Sequence, residues 1–123
     1  MEALSPHTVR MTPNSVVHAA TLDLDHEPVP TEQSVQGEPT TGATAIDALG
    51  GLEVGVWEMT PGVTKDVEAD EVFVVISGAA TIEFATGAAT LHVGPGDVVH
   101  LAAGAETVWT VTETLRKVYL TAG

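Results

Sequence analysis

The feature that most constrains this chain is the even spacing of its turn signals after Gly50. Pro61-Gly62, Ser77-Gly78, Thr86-Gly87, Gly94-Pro95-Gly96-Asp97 and Ala103-Gly104 divide the second half into short apolar runs. Glycine supplies positive φ at such places, and proline holds φ near about −65°. Runs rich in Val and Thr between such breaks are strands, and their regular recurrence marks a sandwich or barrel. Strands are expected near 52–59, 71–77, 80–84, 90–93, 98–101, 107–112 and 117–120. No stretch has a convincing helical period. Short antiparallel strands must bury two faces while leaving few open edges, and a jelly-roll barrel does both.

The first fifty residues read differently. Pro6, Pro13, Pro28, Pro30 and Pro39 interrupt them, leaving short apolar runs over 15–24 and 43–49. A length of 123 residues suits one domain. The expected organisation is an extended N-terminal arm over 1–50, packing on the barrel or on a partner, and a barrel over 51–123. Leu22-Asp23-Leu24-Asp25 alternates as one edge strand would.

Charge excludes two classes of partner. Four Lys and Arg against seventeen Asp and Glu give a formal net charge of −13, which repels nucleic-acid phosphates and anionic membrane surfaces. With no cysteine, disulfides, thiolate metal sites and a cysteine nucleophile are all ruled out. The N-terminus lacks a basic start and a long apolar run, and no segment approaches the roughly 20 apolar residues of a membrane span. A soluble cytoplasmic protein is therefore expected. Hydrophobic residues are 44% but aromatics only 4%, so the core is Val, Leu, Ile and Ala around Trp57, Phe73, Phe84, Trp109 and Tyr119.

Two segments carry a family pattern. One runs from Pro61-Gly62 to Gly78 and ends in Asp70-Glu71-Val72-Phe73-Val74-Val75-Ile76-Ser77-Gly78. The other is Val93-Gly94-Pro95-Gly96-Asp97-Val98-Val99 with Ala102-Ala103-Gly104. Together they resemble the two motifs of the cupin superfamily. With GVWEMTPG over 55–62, Trp109 and the closing RKVYL over 116–120, the chain is similar to small cupins grouped with (S)-ureidoglycine aminohydrolase and the ethanolamine-utilisation cupin. The resemblance covers about 50–122 and implies an all-β, RmlC-like double-stranded β-helix. It also implies a divalent metal held in the barrel by two His and a Glu of the first motif and one His of the second.

Carried over residue by residue, the metal positions are mostly changed. Six residues separate Glu71 from Gly78, the spacing that the resemblance gives the glutamate ligand. The two His positions fall on Lys65 and Val67, or on Thr64 and Asp66 with one extra residue, and the last falls on Thr107. A catalytic divalent site needs about three well-placed protein ligands, which one glutamate does not provide. No metal or other cofactor is therefore expected.

If the shorter spacing holds, Lys65 faces the lumen beside Glu71, and their pairing decides whether Glu71 is a carboxylate or a proton donor. The competing reading puts Lys65 in an exposed loop. Trp109 shares a strand face with Thr107 and Val111 and offers a wall for a small ligand, or simple core packing, and Trp57 carries the same choice. His100 lies opposite Val99 and Leu101, on a face that periodicity does not assign to the lumen or the surface. His92 is a strand histidine of the same kind, while His7, His18 and His26 lie in the arm. Glu53 and Glu58 read as solvated strand positions, although their parity differs.

The first reading is a cupin that binds a small polar metabolite, with Glu71 as the central polar group and Lys65, Thr107, Trp109 and His100 lining the cavity. A second is a metal-dependent hydrolase or isomerase with altered ligands. A third is a non-catalytic dimeric sensor or scaffold. The resemblance and the coreless arm together imply a homodimer.

Overall fold

The structure, a computed structural model, describes residues 11–122. Nine strands account for its regular structure: β1 (Glu27–Pro28), β2 (Ser34–Gln36), β3 (Thr40–Leu49), β4 (Leu52–Met59), β5 (Gly62–Val67), β6 (Glu71–Phe84), β7 (Leu91–Val93), β8 (Val98–Leu101) and β9 (Glu106–Thr121). All pairings are antiparallel. Among the described residues there is no helix, and so none long and apolar enough to cross a membrane.

The sheet folds over into a jelly-roll barrel because β6 and β9 are long enough to serve both of its faces. The N-terminal half of β6 pairs with the C-terminal half of β9, Glu71 opposite Thr121 and Val75 opposite Lys117, and this half also carries β8. The other half pairs Ala80 with Val111 and Phe84 with Thr107, and carries β7. On the far edge of β9, β4 extends the first half and β5 the second. The register shifts between Val75 and Ala80, where β6 bends. Ser77-Gly78, expected as a turn between two strands, is this bulge inside one strand. Gly78 has φ +87°, and a Cβ there would overlap the Thr114 carbonyl.

Alternation along each long strand sends one set of side chains between the two faces. Phe73, Val75, Ala80 and Ile82 of β6 meet Trp109, Val111, Leu115 and Tyr119 of β9 in one buried cluster with Met59 of β4. Tyr119 lies across the β4 backbone at Gly55, its register partner, and donates its hydroxyl to Glu53 at 2.7 Å. Gly55 is required there because a Cβ would run into the tyrosine ring. Burial and the Glu53 carboxylate together push the Tyr119 hydroxyl well above the usual tyrosine range.

Two sequence expectations about the first half change. Residues 40–49 form the ten-residue strand β3, so the sheet begins before the expected boundary at 50. Gly50-Gly51, with φ +55° and +86°, is the tight turn of the β3–β4 hairpin that brings Leu49 opposite Leu52. Leu22-Asp23-Leu24-Asp25 alternates in burial, leucines half-buried and aspartates exposed, but it joins no strand. Its backbone is used otherwise: Arg116 donates Nη1 to the carbonyls of Ala19 (2.8 Å) and Leu22 (2.7 Å).

Arg116 belongs to a clasp on the outer face of the sheet. Its Nε donates to Glu58 Oε2 at 2.9 Å, while His26 of the arm sits 2.7 Å from Glu58 Oε1 and 2.8 Å from Thr40 Oγ1. Glu58 is therefore covered by the arm, and Glu53 on the opposite face is engaged by Tyr119. The differing parity of the two glutamates is satisfied by a regular strand with a partner on each face. From this clasp the arm crosses to the other half of the barrel, pairing β1 with β3 and then β2 with β5.

Substituting Gly55→Ala is expected to cost about 1–3 kcal/mol by overpacking against Tyr119, read as a lower urea midpoint with little change in slope. The clasp sets a pH dependence. Burial acts to raise Glu58, but the Arg116 and His26 contacts outweigh it and hold its pKa below the ordinary 4.5. A depressed carboxylate stabilises fully above its unfolded value and loses that contribution as pH falls through its folded value. Thermal melts from pH 6 downward are expected to fall more steeply for the native chain than for Glu58→Gln, and parallel curves would contradict the clasp.

Candidate active site in the barrel

Lys117 is the centre of the barrel's polar chemistry. It lies on β9 at the same parity as Thr107, Trp109 and Val111, so its side chain enters the barrel, where the residue is only 1% exposed. Its backbone is level with Val75, yet its ammonium reaches along β6 to Glu71, with Nζ donating to Oε2 at 2.7 Å. The extended side chain passes Phe73, which alternates with Glu71 and Val75 on the inward face of β6. Nζ stands 4.1 Å from the Phe73 ring centroid, 4.6 Å from Trp57 and 4.8 Å from Trp109. Three aromatic rings and one carboxylate thus replace the water that an ammonium holds at the surface.

Burial dominates the electrostatics of this pair. It pushes the Glu71 carboxyl above its ordinary range, against the pull of Lys117, and draws Lys117 below its own, against the pull of Glu71. Both tendencies move the shared proton the same way, from nitrogen toward the carboxyl group. Glu71 Oε1 is buried and accepts no hydrogen bond from the described residues.

A second acid lies beside the pair. Glu68, in the loop between β5 and β6, is 5% exposed, and its Oε2 accepts from Thr107 Oγ1 at 2.6 Å and from Trp109 Nε1 at 2.9 Å. The indole is therefore fixed by a hydrogen bond at its edge while its face meets Lys117. Backbone bonds from Glu68 to Ala105 and from Gly104 to Glu68 hold the loop in place. Beside Lys117 and Glu68 lies a cavity of about 200 Å³. Lys117, Trp57, Met59 and Trp109 line its interior, Thr64, Asp66 and Glu68 one side, and Glu27 to Pro30 with Gln33 of the arm close another. The arm is a wall of the cavity as well as a clasp.

The sequence candidates separate clearly against this geometry. Trp109 lines the cavity, whereas Glu71 and Thr107 are buried outside its lining, bonded to Lys117 and Glu68. On β5, Thr64 is buried and lines the cavity with Asp66, whereas Lys65 and Val67 are exposed, so the spacing with one extra residue applies. Lys65 reaches only the cavity margin, and the cation beside Glu71 is Lys117 instead. His100 is exposed on β8 because Val99 and Leu101 take the inward parity, and it does not reach the cavity. His92 and His18 are exposed, His26 serves the clasp, and His7 lies outside the described residues.

Lys117 and Glu68 escaped the sequence reading. The signal for Lys117 was its odd-numbered parity with Thr107 and Trp109, visible once 107–112 and 117–120 are joined into one strand. For Glu68 no periodicity was available, since it lies beyond the end of β5.

The chain belongs to the EutQ-like cupin domain family. The match spans residues 46–119. Among solved structures, a DUF861 family protein of unknown function from Pseudomonas syringae is 27% identical with a TM-score of 0.69, over 81% of this chain and 44% of that one. This chain thus spans less than half of the Pseudomonas protein. The Clostridium difficile EutQ protein is 16% identical with a TM-score of 0.66, covering 86% and 84% of the two chains, a likeness of fold. No curated protein matches the sequence.

The positions that the resemblance assigns to metal ligands, Thr64, Asp66, Glu71 and Thr107, present two hydroxyls and two carboxylates with no imidazole, a poor match to the His-rich set, and Oε2 of Glu71 binds the Lys117 ammonium. The described residues hold no cluster of three metal-binding side chains elsewhere.

Removing one partner of a buried ion pair leaves the other stranded. Lys117→Met is expected to cost about 3–5 kcal/mol, and adding Glu71→Gln to recover a substantial part of it, because the stranded carboxylate is gone. Urea midpoints of the native chain, both single variants and the double variant measure the coupling, and additive losses would contradict it.

Proposed function

We propose that this EutQ-like cupin binds a small polar molecule in its barrel and uses the Lys117–Glu71 pair where a metal-dependent cupin uses a divalent ion. The observation that carries this reading is the Lys117 ammonium itself, 2.7 Å from Glu71 and at the wall of a cavity of about 200 Å³. The cavity suits only a small molecule, and it joins aromatic walls to a few convergent polar groups, the combination that small-molecule sites use. Glu71 neutralises Lys117, and Asp66, Glu68 and Glu27 outnumber Lys65, so the enclosure keeps a negative character. A neutral or cationic ligand suits that potential better than a carboxylate or phosphate. The aromatic walls favour a ligand with some apolar body, and Glu68 offers an acceptor for a hydroxyl or amino group.

Two measurements test the reading. After dialysis against a mixture of manganese, iron(II), nickel and zinc, elemental analysis is expected to find well under about one ion per chain. Stoichiometric metal that disappears in Glu71→Ala would overturn the metal-free site. Both tryptophans of the chain, Trp57 and Trp109, line the cavity, so intrinsic fluorescence reports directly on occupancy. Saturable changes in emission are expected with small neutral polyols or amines and not with matched carboxylates. The reverse preference would contradict the charge assignment.

A further inference from the structure

We propose that Lys117 is a covalent nucleophile that forms a Schiff base with a small neutral aldehyde or ketone admitted to the cavity. This rests on the cavity being a ligand site and adds the chemistry its wall can perform. Three observations lead to it. Lys117 lines the cavity although it is 1% exposed, and two of the three rings around its nitrogen, Trp57 and Trp109, line the cavity with it. Its surroundings are Trp57, Phe73 and Trp109, the apolar setting in which a lysine amine is most readily freed for attack on a carbonyl. A proton acceptor is already in contact, Glu71 Oε2 at 2.7 Å, with its second oxygen buried and unbonded by the described residues.

The step balances within the pair. Glu71 takes one proton from the ammonium, and the nitrogen lone pair forms a bond to the carbonyl carbon while the carbonyl π electrons move to oxygen. A second proton passes from nitrogen to that oxygen, giving a neutral carbinolamine. Glu71 then returns its proton to the hydroxyl, the carbon–oxygen bond breaks, and water leaves. The product is an iminium bonded to Lys117 beside an ionised Glu71. No proton enters or leaves overall, and a positive nitrogen stands between the same carboxylate and rings before and after. What holds the ammonium also holds the iminium, so the site needs no rearrangement between the two. The acidic flank of Asp66 and Glu68 directs the choice toward uncharged carbonyl compounds, and Glu68 offers a partner to a hydroxyl on the adjacent carbon.

The sequence makes the test clean, since Lys65 and Lys117 are its two lysines. The native protein is incubated with glycolaldehyde or propionaldehyde and sodium cyanoborohydride, which reduces an iminium to a stable amine, and adducts are located by peptide mass spectrometry. Lys117 is expected to be modified at least about tenfold faster than the exposed Lys65. Glu71→Gln is expected to slow labelling of Lys117 while leaving Lys65 unchanged, with near-ultraviolet circular dichroism confirming that the variant is folded. If that variant does not fold, the ratio of the two lysines in the native chain still decides. Labelling confined to Lys65 and the N-terminal amine overturns the proposal. Where the same aldehyde changes tryptophan emission saturably, that result leaves the binding site intact and removes only the covalent step. Absence of both signals for these probes overturns the aldehyde chemistry, while response to polyols or amines in the separate titration preserves the binding reading.

Discussion

Placing an ammonium and a carboxylate together inside a barrel of Val, Leu and aromatic side chains is the constraint around which the rest of this structure is arranged. Each charge costs several kcal/mol to strip of water, and mutual attraction recovers this only when geometry and surroundings are favourable. Here the geometry is supplied by the register of two long strands. Lys117 starts level with Val75 and uses its full length to reach Glu71, four residues along, with its stem laid against Phe73. The rings of Trp57 and Trp109 complete the enclosure, and the Trp109 edge is held by Glu68. A shorter cation at position 117 would fall short of the carboxylate.

The arm is drawn into the same arrangement from outside. Arg116 and Lys117 are neighbours on β9, so they point to opposite faces of the sheet. Arg116 binds Glu58 and two carbonyls of the arm, and Lys117 binds Glu71 within. From the Arg116 clasp the arm continues through β1, passes across the barrel as residues 28–33 and joins β5 as β2, enclosing the cavity on the way. Fixing the arm on the outer face therefore fixes a wall of the inner cavity. Two consecutive basic residues, in a chain with few, hold the two together.

Much of this was legible in the sequence where a local rule governed the outcome. The strands at 52–59 and 98–101 followed from their flanking turn residues, and the family pattern followed from the spacing of Glu71, Gly78 and Gly96. Ser77-Gly78 was misread because a glycine with positive φ serves equally in a turn and in a bulge, and only pairing with β9 distinguishes them. β3 was missed because Thr40–Leu49 follows a proline-rich stretch and derives its strand character from β4 alongside it. The ambiguity between Lys65 and Thr64 was one of register, and a single residue of slip exchanges the inner and outer faces of β5. Lys117 required a long-range fact, that two short predicted strands are one, so that the parity of Trp109 carries through to it.

The replacement of ligands in this barrel is selective in charge. The cupin pattern places one carboxylate and neutral imidazoles around a dication. Here the same carboxylate meets a monocation, with neutral hydroxyls at Thr64 and Thr107 and a second carboxylate at Asp66. The charge at Glu71 thus has a partner that is covalently part of the chain. The chemical consequence is specific. A bound metal offers an electron-pair acceptor with exchangeable positions, whereas an ammonium offers N–H donors and, once its proton has passed to Glu71, a nitrogen electron pair. An ammonium at this place differs from a metal in the kind of chemistry it can offer, and the fold and the acid at position 71 accommodate it without other change.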